Sequence, residues 1–267
     1  MSESADTPVE NRTVAGVAHL TLNRPEKRNA LNRATIGALS MELERCLGDP
    51  AVRLVQITGA GKAFCAGADL AEMQSQMHAA EAANLADAQQ LAKLLADLDS
   101  FPKPTLARVN GDGYGGALGL LAACDIVVAA EDARFAFTEV RLGIVPAVIS
   151  PFVVAKIGES AARRYFLTAE PLTAAVLKDL HLVHEVVAPD MLDAACAAIG
   201  DALQKGAPGA LCEVKALIRE LASGPTRDRA SASLNMAARL ACLRVQPEAT
   251  EGFSAFFEKR RPAWRRD

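Results

Sequence analysis

Short apolar segments alternate with segments of helical periodicity through the first half of the chain, and this alternation constrains the fold more than any other feature. The apolar segments have the length and aliphatic content of strands, and they span residues 17–22, 52–58, 105–109 and 125–130. Predicted helices lie between them, at 32–47, at about 79–99 and after the turn NGDGYGG. Strands separated by helices pair in parallel through right-handed crossovers, so the pattern predicts an α/β core.

The first predicted helix has both of its ends marked in the sequence. Asn32 can cap its N-terminus with a side-chain oxygen, and Gly48 and Pro50 stop it. Between these ends the apolar residues recur three or four positions apart, at Ile36, Leu39, Leu43 and Leu47. This spacing gives the helix one apolar face for packing on the core.

Only helical patterns are predicted after residue 190. The segments with helical spacing are 191–203, 211–221 and 247–260, and the last carries Phe253, Phe256 and Phe257. Aromatic side chains on such an extension need a partner, so we expect the chain to oligomerise through it. The predicted domains are a flexible polar leader at 1–12, an α/β core at 13–190 and a helical oligomerisation region at 191–267.

Composition excludes several classes of protein. The chain has 267 residues, with 29 basic and 32 acidic side chains, and 51% of it is hydrophobic. That hydrophobic fraction excludes disorder for most of the chain, and the net charge of −3 offers no basic face for general nucleic-acid binding. The longest apolar stretch, 117–130, contains Asp125 and is shorter than the roughly 20 residues of a membrane-spanning helix.

The N-terminus and the cysteines indicate a cytoplasmic protein. The opening MSESADTPVENRT has neither the basic nor the apolar region of a secretory signal. The six cysteines form no CxxC pair, and we interpret them as reduced, mostly buried residues.

Three local patterns suggest other chemistry but lack the context that it needs. The glycines of NGDGYGG have the spacing of a dinucleotide-binding loop, yet the next strand follows too soon for a crossover helix. His181 and His184 lie beside a predicted strand, without a third metal ligand at a suitable spacing. Cys65 has no histidine placed by the local sequence to activate it.

Two loops rich in glycine and alanine are stronger candidates for a site. GAGKAFCAGADL and NGDGYGGALGL each follow a predicted buried strand and lead into a helix, which is where α/β folds bind ligands. Small residues let a ligand approach the backbone, and helix N-termini present unpaired N–H groups. Two such N–H groups from separate loops would form an oxyanion hole for a carbonyl oxygen that gains negative charge. Tight packing of strands and turns is the alternative explanation.

Together with the early NRPEKRNAL and the closing SAFFEKRRPAW, these two loops resemble the enoyl-CoA hydratase/isomerase (crotonase) family. The resemblance begins at about residue 13 and covers nearly all of the remaining chain. It implies an α/β spiral of β-β-α turns and a C-terminal helical trimerisation region, in a homotrimer or a dimer of trimers. It also implies an acyl-CoA thioester whose oxygen is held by the N–H groups of Ala68 and Gly116.

The same resemblance places CoA-binding positions in several segments. They are Lys27, Arg28 and Ala30 of NRPEKRNAL, then Ala66, Asp69, Leu70 and Gly115 near the two loops, and finally Lys259. Lys259 lies in a tail, 258–267, with five basic and two acidic residues, which is either solvated or meets an acidic neighbouring subunit or an anionic ligand such as a CoA phosphate. CoA arrives as part of the substrate, so no metal or other cofactor is implied.

The acid–base residue that the resemblance implies is Glu139, in FTEVRLGIVP. Family members that hydrate enoyl-CoA usually have a second glutamate three residues after the oxyanion glycine, where this chain has Gly119. The chain is therefore predicted to be a hydratase with one glutamate. A Δ3,Δ2-enoyl-CoA isomerase and a catalytically silent CoA-ester-binding relative are the alternatives, and Asp112 is a candidate replacement for the second carboxylate.

The sequence from GGALGL to LTAE is most similar to the bacterial methylglutaconyl-CoA hydratase branch of the family. Substrates of that branch, in leucine and isoprenoid breakdown, carry a distal carboxylate; Arg141 either binds it or is a surface residue. Some relatives of that branch bind RNA through a lysine-rich helix. The matching residues here, 30–53, have three basic and three acidic side chains, so no nucleic-acid partner is expected.

Overall fold

The strands of the described chain form two β-sheets. The computed structural model describes residues 7–223 and 229–265. Its strands are β1 (Val9–Val14), β2 (Val17–Leu22), β3 (Leu54–Gly59), β4 (Ala63–Cys65), β5 (Thr105–Val109), β6 (Asp112–Tyr114), β7 (Ile126–Ala130), β8 (Arg134–Ala136), β9 (Leu172–Thr173) and β10 (Glu185–Val187). Its helices are α1 (Arg33–Gly48), α2 (Leu70–Gln76), α3 (Glu81–Asp99), α4 (Gly116–Ala123), α5 (Ser150–Thr168), α6 (Ala174–Asp179), α7 (Leu192–Lys205), α8 (Pro208–Ser223), α9 (Arg229–Arg244) and α10 (Pro247–Phe257). Short 3₁₀ turns occupy Pro25–Lys27, Glu139–Leu142 and Pro189–Met191.

The larger sheet has the order β1-β2-β3-β5-β7-β10, and the smaller sheet has the order β4-β6-β8-β9. Pairing is antiparallel for β1 with β2 and for β8 with β9, and parallel for the other pairs. From β3 onward, each turn adds a strand to the larger sheet, a strand to the smaller sheet and then helix: β3, β4 and α2–α3; β5, β6 and α4; β7, β8 and α5. The predicted α/β core of β-β-α turns is confirmed.

The sequence marks some elements better than others. β2 and β5 have the bounds that their apolar runs predicted. α1 begins at the predicted cap, where Asn32 Oδ1 accepts the N–H of Thr35 at 2.8 Å. The predicted leader ends earlier than expected, because Val9–Val14 forms β1 and pairs with β2 along its length. Polar side chains concealed this strand, since only Val9 in it is buried.

α4 is a buried helix that begins at the end of the smaller sheet. Residues 117–123 of α4 are all buried, and the helix contacts α3 and α5. The fully buried side chains of Phe64, Phe135 and Phe137 belong to the same hydrophobic core. The single residue Gly115 separates β6 from α4. The N-terminus of α4 therefore lies at the C-terminal end of β6.

Two compact units meet in sequence at Gly200 and Asp201, within α7. In the second unit, α8, α9 and α10 line an apolar groove of about 1150 Å³. Three phenylalanines of α10 are exposed: Phe253, Phe256 and Phe257. Oligomerisation through this unit stays a prediction. Within residues 7–223 and 229–265, no helix has both the length and the apolar character needed to cross a membrane.

Candidate active site

The direction of the Ala68 N–H is set by a backbone pairing between two loops. Leu31 donates its N–H to the Gly67 carbonyl at 2.7 Å, and the Leu31 carbonyl accepts the Asp69 N–H at 3.0 Å. Leu31 and Ala68 thus form an isolated parallel bridge. The Gly67 carbonyl and the Ala68 N–H belong to one planar trans peptide, in which the two groups point in opposite directions. The Ala68 N–H is therefore turned away from Leu31.

Gly115 and Gly116 make the turn from β6 into α4. Gly115 has φ 49° and ψ −114°, a conformation that strongly favours glycine. Its N–H donates to the Ala136 carbonyl at 3.1 Å, which ties the turn to β8. Gly116 is the first residue of α4, so its N–H has no acceptor inside that helix.

The two loops touch at Gly67. A Cβ atom on Gly67 would lie 2.6 Å from the Tyr114 carbonyl oxygen and 3.6 Å from the Gly116 nitrogen. Glycine alone permits this approach, and Gly67 also has φ 83°. The parallel pairing of β4 with β6 brings the loops together, because each loop follows the same end of its strand. The N–H groups of Ala68 and Gly116, predicted to form an oxyanion hole, therefore belong to peptides on either side of this contact.

The Glu139 carboxyl group lies against the same turn. A Cβ atom on Gly115 would be 3.1 Å from Glu139 Oε1. The cause is the pairing of β6 with β8, which aligns Tyr114 with Ala136 shortly before Glu139 opens its 3₁₀ turn. Glu139 Oε2 is buried and has no hydrogen-bond partner in the described part of the chain. Burial raises the pKa of this carboxyl group, although a backbone hydrogen bond opposes the shift.

These features suit acid–base chemistry on a carbonyl compound. A carboxyl group with a free acceptor and a raised pKa can exchange a proton with a bound ligand. The Ala68 and Gly116 N–H groups, which have no acceptor among the residues that the structure describes, can bind the oxygen of the same ligand.

Gly119 lies one turn farther along α4 and packs beneath Ile149. A Cβ atom on Gly119 would be 2.4 Å from Ile149 Cγ2 and 3.1 Å from Leu95 Cδ1. Ile149 precedes α5 and is 2% exposed. A side chain at position 119 therefore requires Ile149 to move, and the second glutamate of the family has no space here.

The predicted CoA-binding positions around the first loop differ in exposure. Lys27 and Arg28 are exposed, and Leu70 is 75% exposed at the start of α2. Ala30 is buried. Ala66 donates its N–H to the Arg28 carbonyl at 2.9 Å, so this backbone is part of the pairing between the loops.

Lys259 follows α10 in the second unit. It has φ 54°, a left-handed conformation that glycine usually takes at the end of a helix. The Arg260 N–H closes the helix by donating to the Ala255 carbonyl at 3.0 Å. The Arg260 guanidinium pairs with Glu251 and Glu258, each at 2.6 Å. Arg260, one of the basic residues of the tail, is thus paired with carboxylates of the second unit.

Two other predicted residues have partners within the fold. Arg141 Nη2 donates to the Ala169 carbonyl at 2.9 Å. Asp112 Oδ2 accepts the Tyr114 hydroxyl at 3.1 Å, and Asp112 Oδ1 accepts the Arg134 N–H at 3.0 Å. Asp112 also begins β6, at the end opposite the site, so it does not replace the second carboxylate.

The remaining candidates have structural roles. Burial raises the pKa of the Cys65 thiol to about 12, so the nucleophilic thiolate is not populated. His184 Nδ1 accepts the Val127 N–H at 3.0 Å. A Cβ atom on Gly111 would be 2.0 Å from the Lys62 carbonyl oxygen, so packing alone requires that glycine. Residues 7–223 and 229–265 contain no group of three or more His, Cys, Asp or Glu placed to hold a metal ion.

Arg24 and Asn29 belong to NRPEKRNAL but were not among the individual residues predicted for the site. Asn29 is fully buried, and Arg24 forms an ion pair with Asp69 at 2.9 Å. Asn29 bonds to the Ala60 and Ala63 carbonyls, and the Arg24 partner Asp69 lies on the loop that follows β4. Local sequence does not identify such partners.

Known proteins of one family match nearly the whole chain. The family profile described as enoyl-CoA hydratase/isomerase matches residues 12–267. The 2,3-dehydroadipyl-CoA hydratase of Escherichia coli (strain K12) is 35% identical over 249 residues, which cover 91% of this chain and 92% of that protein. The mevalonyl-coenzyme A hydratase of Aspergillus fumigatus is 37% identical over 254 residues, which cover 92% of this chain and 90% of that protein.

A solved structure agrees with these sequence matches. The crystal structure of an enoyl-CoA hydratase from Shewanella pealeana is similar with a TM-score of 0.93 at 40% identity, over 98% of this chain and 97% of that chain. The chain therefore has the crotonase fold that its motifs predicted, and it belongs to the enoyl-CoA hydratase/isomerase family of enzymes.

Proposed function

We propose that this chain is an enoyl-CoA hydratase, a carbon–oxygen lyase that adds water across the α,β double bond of an acyl-CoA thioester. The position of Glu139 carries the proposal. Its Oε1 borders Gly115, and its buried Oε2 has no partner among the described residues. The N–H groups of Ala68 and Gly116 lie on the loops that meet beside it.

In the proposed mechanism the thioester oxygen accepts hydrogen bonds from the Ala68 and Gly116 N–H groups. This oxygen becomes an enolate oxygen as water adds, and such donors are worth about 3–4 kcal/mol each. Glu139 takes a proton from the water as the water oxygen bonds to the β-carbon, and then delivers a proton to the α-carbon. Positioned acid–base groups contribute roughly 10²–10⁴-fold. Backbone donors and one carboxylate perform every step, so the proposal includes no metal or redox cofactor.

The proposed substrate is a branched acyl-CoA of the methylglutaconyl type. The likeness of the segment from GGALGL to LTAE supports this class, and a relative with 35% identity is named for an acyl group of a dicarboxylic acid. Arg141 is exposed and uses Nη2 on the Ala169 carbonyl, so its other guanidinium N–H groups are the proposed donors to the distal carboxylate. Lys259 is the proposed contact for a CoA phosphate. Leucine or isoprenoid breakdown in the cytoplasm, by a trimer or hexamer, is the proposed setting.

A Δ3,Δ2-enoyl-CoA isomerase is the second candidate, and the packing of Gly119 favours it. Isomerisation needs one carboxylate to carry a proton between carbons. Ile149 fills the space where a second carboxylate would stand, so Glu139 would act alone.

A panel of CoA esters tests the proposal and separates the two candidates. Crotonyl-, tiglyl- and 3-methylglutaconyl-CoA report hydration as a loss of the ultraviolet absorbance of the conjugated thioester, and 3-hexenoyl-CoA reports isomerisation as a gain. We expect hydration, fastest with 3-methylglutaconyl-CoA. Conjugation of 3-hexenoyl-CoA without hydration of the other esters would establish the isomerase, and binding without turnover would establish a silent binder.

The Glu139→Gln variant tests the assigned base in the same assay. We expect at least a hundredfold slower hydration, with little loss of CoA-ester binding, because the amide cannot accept the proton. Turnover equal to the unsubstituted enzyme would dismiss Glu139 as the base.

A further inference from the structure

Residues 24–31 lie lengthwise along the loop 66–69. Ala66 donates its N–H to the Arg28 carbonyl at 2.9 Å at one end of this loop. Leu31 exchanges two backbone hydrogen bonds with the other end. One of those bonds fixes the peptide that carries the proposed oxyanion N–H, so the direction of that N–H depends on how firmly residues 24–31 are held.

Asn29 anchors this segment to the sheet. It is fully buried and has φ 56°. Its Nδ2 donates to the Ala60 carbonyl at 2.9 Å and to the Ala63 carbonyl at 2.8 Å, and its Oδ1 accepts the Arg24 N–H at 3.0 Å. Both polar atoms of the amide are therefore used on the turn from β3 to β4 and on the segment itself.

An ion pair between Arg24 and Asp69 joins the segment to the loop. Arg24 Nη1 lies 2.9 Å from Asp69 Oδ2 and also donates to the Ala30 carbonyl at 2.8 Å. Asp69 Oδ1 accepts the N–H groups of Ala71 at 2.9 Å and Glu72 at 3.4 Å, and so caps α2. The Arg24 and Asp69 side chains are 19% and 9% exposed, so most of the pair is shielded from water.

Both oxygens of the Asp69 carboxylate are bound by groups of the described chain, Oδ2 by Arg24 and Oδ1 by the first N–H groups of α2. Burial alone raises the pKa of Asp69, but hydrogen bonds from Arg24 and from the two capping N–H groups lower it overall. The carboxylate is therefore negatively charged at neutral pH, and it interacts with Arg24 and with the first N–H groups of α2.

We infer that Arg24 and Asp69 are positioning residues, whose ion pair fastens residues 24–31 to the loop 66–69 and so holds the Ala68 N–H in the direction that stabilises the enolate. The inference rests on the proposed function, and it replaces the expectation that Asp69 binds CoA. Such a pair acts on kcat more than on KM, because an oxyanion donor contributes most when negative charge has developed.

The Asp69→Asn variant separates the ion pair from the helix cap. Asparagine keeps the size of aspartate and caps helices equally well, but it removes the charge that Arg24 binds. We expect kcat to fall about tenfold to hundredfold, because a displacement of about 1 Å can cost 10²-fold, while KM stays within about twofold. Asp193→Asn is the matched control, since it removes the 2.7 Å ion pair with Arg108 and should leave both constants unchanged.

Acetoacetyl-CoA gives a second readout that needs no turnover. Its enolate absorbs in the near ultraviolet, and an oxyanion hole raises the enolate fraction of the bound ligand at a fixed pH. At equal occupancy we expect a strong enolate band with the unsubstituted enzyme and with Asp193→Asn, and a weak band with Asp69→Asn.

The outcomes distinguish the inference from the function on which it rests. No enolate band with the fully occupied unsubstituted enzyme overturns the proposed oxyanion hole and the inference with it, whereas the hydration assay alone decides the proposed function. A strong band with the unsubstituted enzyme, with an equal band and equal kcat in Asp69→Asn, overturns the positioning role alone. If Asp69→Asn does not fold, Arg24→Gln leaves the α2 cap intact and carries the same expectations, with partial recovery in Arg24→Lys. A folded Arg24→Gln variant with unchanged kcat and an unchanged band also overturns the inference.

Discussion

Burial of the Glu139 carboxyl group lowers the stability of the fold and also prepares the group for acid–base chemistry. Its Oε2 is buried without a partner in the described chain, and a buried polar atom in that condition costs about 1–3 kcal/mol of stability. A catalytic role is one of the reasons for which native proteins retain such an atom. The same burial raises the carboxyl pKa, which brings the proton affinity of Glu139 closer to that needed by a base working near neutral pH.

The raised pKa of Glu139 makes the stability of the protein depend on pH. A raised pKa means that the folded protein binds more protons than the unfolded chain between the ordinary glutamate value of 4.5 and the raised value. The stabilising contribution of the protonated group is therefore complete below the ordinary pKa and is lost as pH rises through the raised pKa. Urea unfolding at several pH values should show Glu139→Gln gaining stability relative to the unsubstituted protein across that window. A relative loss over the same interval would show that the pKa is not raised.

α4 determines the chemistry of the site through its first turn. The N–H of Gly116, the first residue of α4, is a proposed oxyanion donor. Gly119, one turn later in the helix, packs against Ile149. The strand β6 before it and the neighbouring strands β4 and β8 bring the other two catalytic positions to the same end of the smaller sheet. α4 therefore supplies one oxyanion donor, and the packing of its Gly119 against Ile149 leaves no space for a second carboxylate.

Two substitutions of Gly116 test the donor. Proline is well tolerated at the first position of a helix and removes the N–H, whereas alanine keeps the N–H and places its Cβ 3.3 Å from Leu31 Cδ1. We expect Gly116→Pro to lose about 10²–10³-fold in kcat and Gly116→Ala to keep most of it. Circular dichroism and melting temperature verify that both variants fold. Equal kcat values in the two variants would remove Gly116 from the mechanism.

Unfolding experiments test the contact between Gly119 and Ile149. Gly119→Ala should destabilise the protein by about 1–3 kcal/mol through overpacking. Ile149→Ala removes the colliding Cγ2, so the double variant should be more stable than the sum of the single losses. Gly37→Ala is the matched control in α1, where nothing lies within 4 Å of the added atom, and it should stabilise by about 0.5–1 kcal/mol. Additive losses in the double variant would rule out the contact.

The elements differ in how much of them the sequence could predict. β2, β5 and α1 were predictable because apolar periodicity and an asparagine cap are local signals. The first loop was predicted to lead into a helix, and α2 begins at its last residue, Leu70, but the bounds of α2 were not predicted because none of its seven residues is buried. The two loops were predicted as a site from their small residues, but the ion pair of Arg24 with Asp69 was not, because strand pairing rather than local sequence brings those segments together.

At the scale of the whole molecule, the second unit exposes apolar surface that a monomer would leave in water. Phe253, Phe256 and Phe257 are 53%, 76% and 76% exposed, and an apolar groove adjoins α10. Burying such side chains is worth about 1.5–3 kcal/mol each. The surface is consistent with the predicted trimer or dimer of trimers.

Sedimentation equilibrium tests this prediction. We expect a mass three or six times that of one chain at micromolar concentration. The paired substitution Phe256→Ser with Phe257→Ser should shift the mass downward, whereas Met41→Ser, on an α1 side chain that is 56% exposed, should not. A monomeric unsubstituted protein would contradict the prediction.

The most direct test of the paired N–H groups is the vibrational frequency of the thioester carbonyl itself. Glu139→Gln is the suitable background, because the slow variant keeps crotonyl-CoA intact while bound. Isotope-edited infrared difference spectra with carbon-13 at the thioester carbonyl isolate that stretch from the protein bands. Two hydrogen bonds from Ala68 and Gly116 should lower the frequency relative to free crotonyl-CoA, and adding Gly116→Pro should reverse most of the shift. A carbonyl stretch that is unchanged or higher on binding would contradict the oxyanion hole.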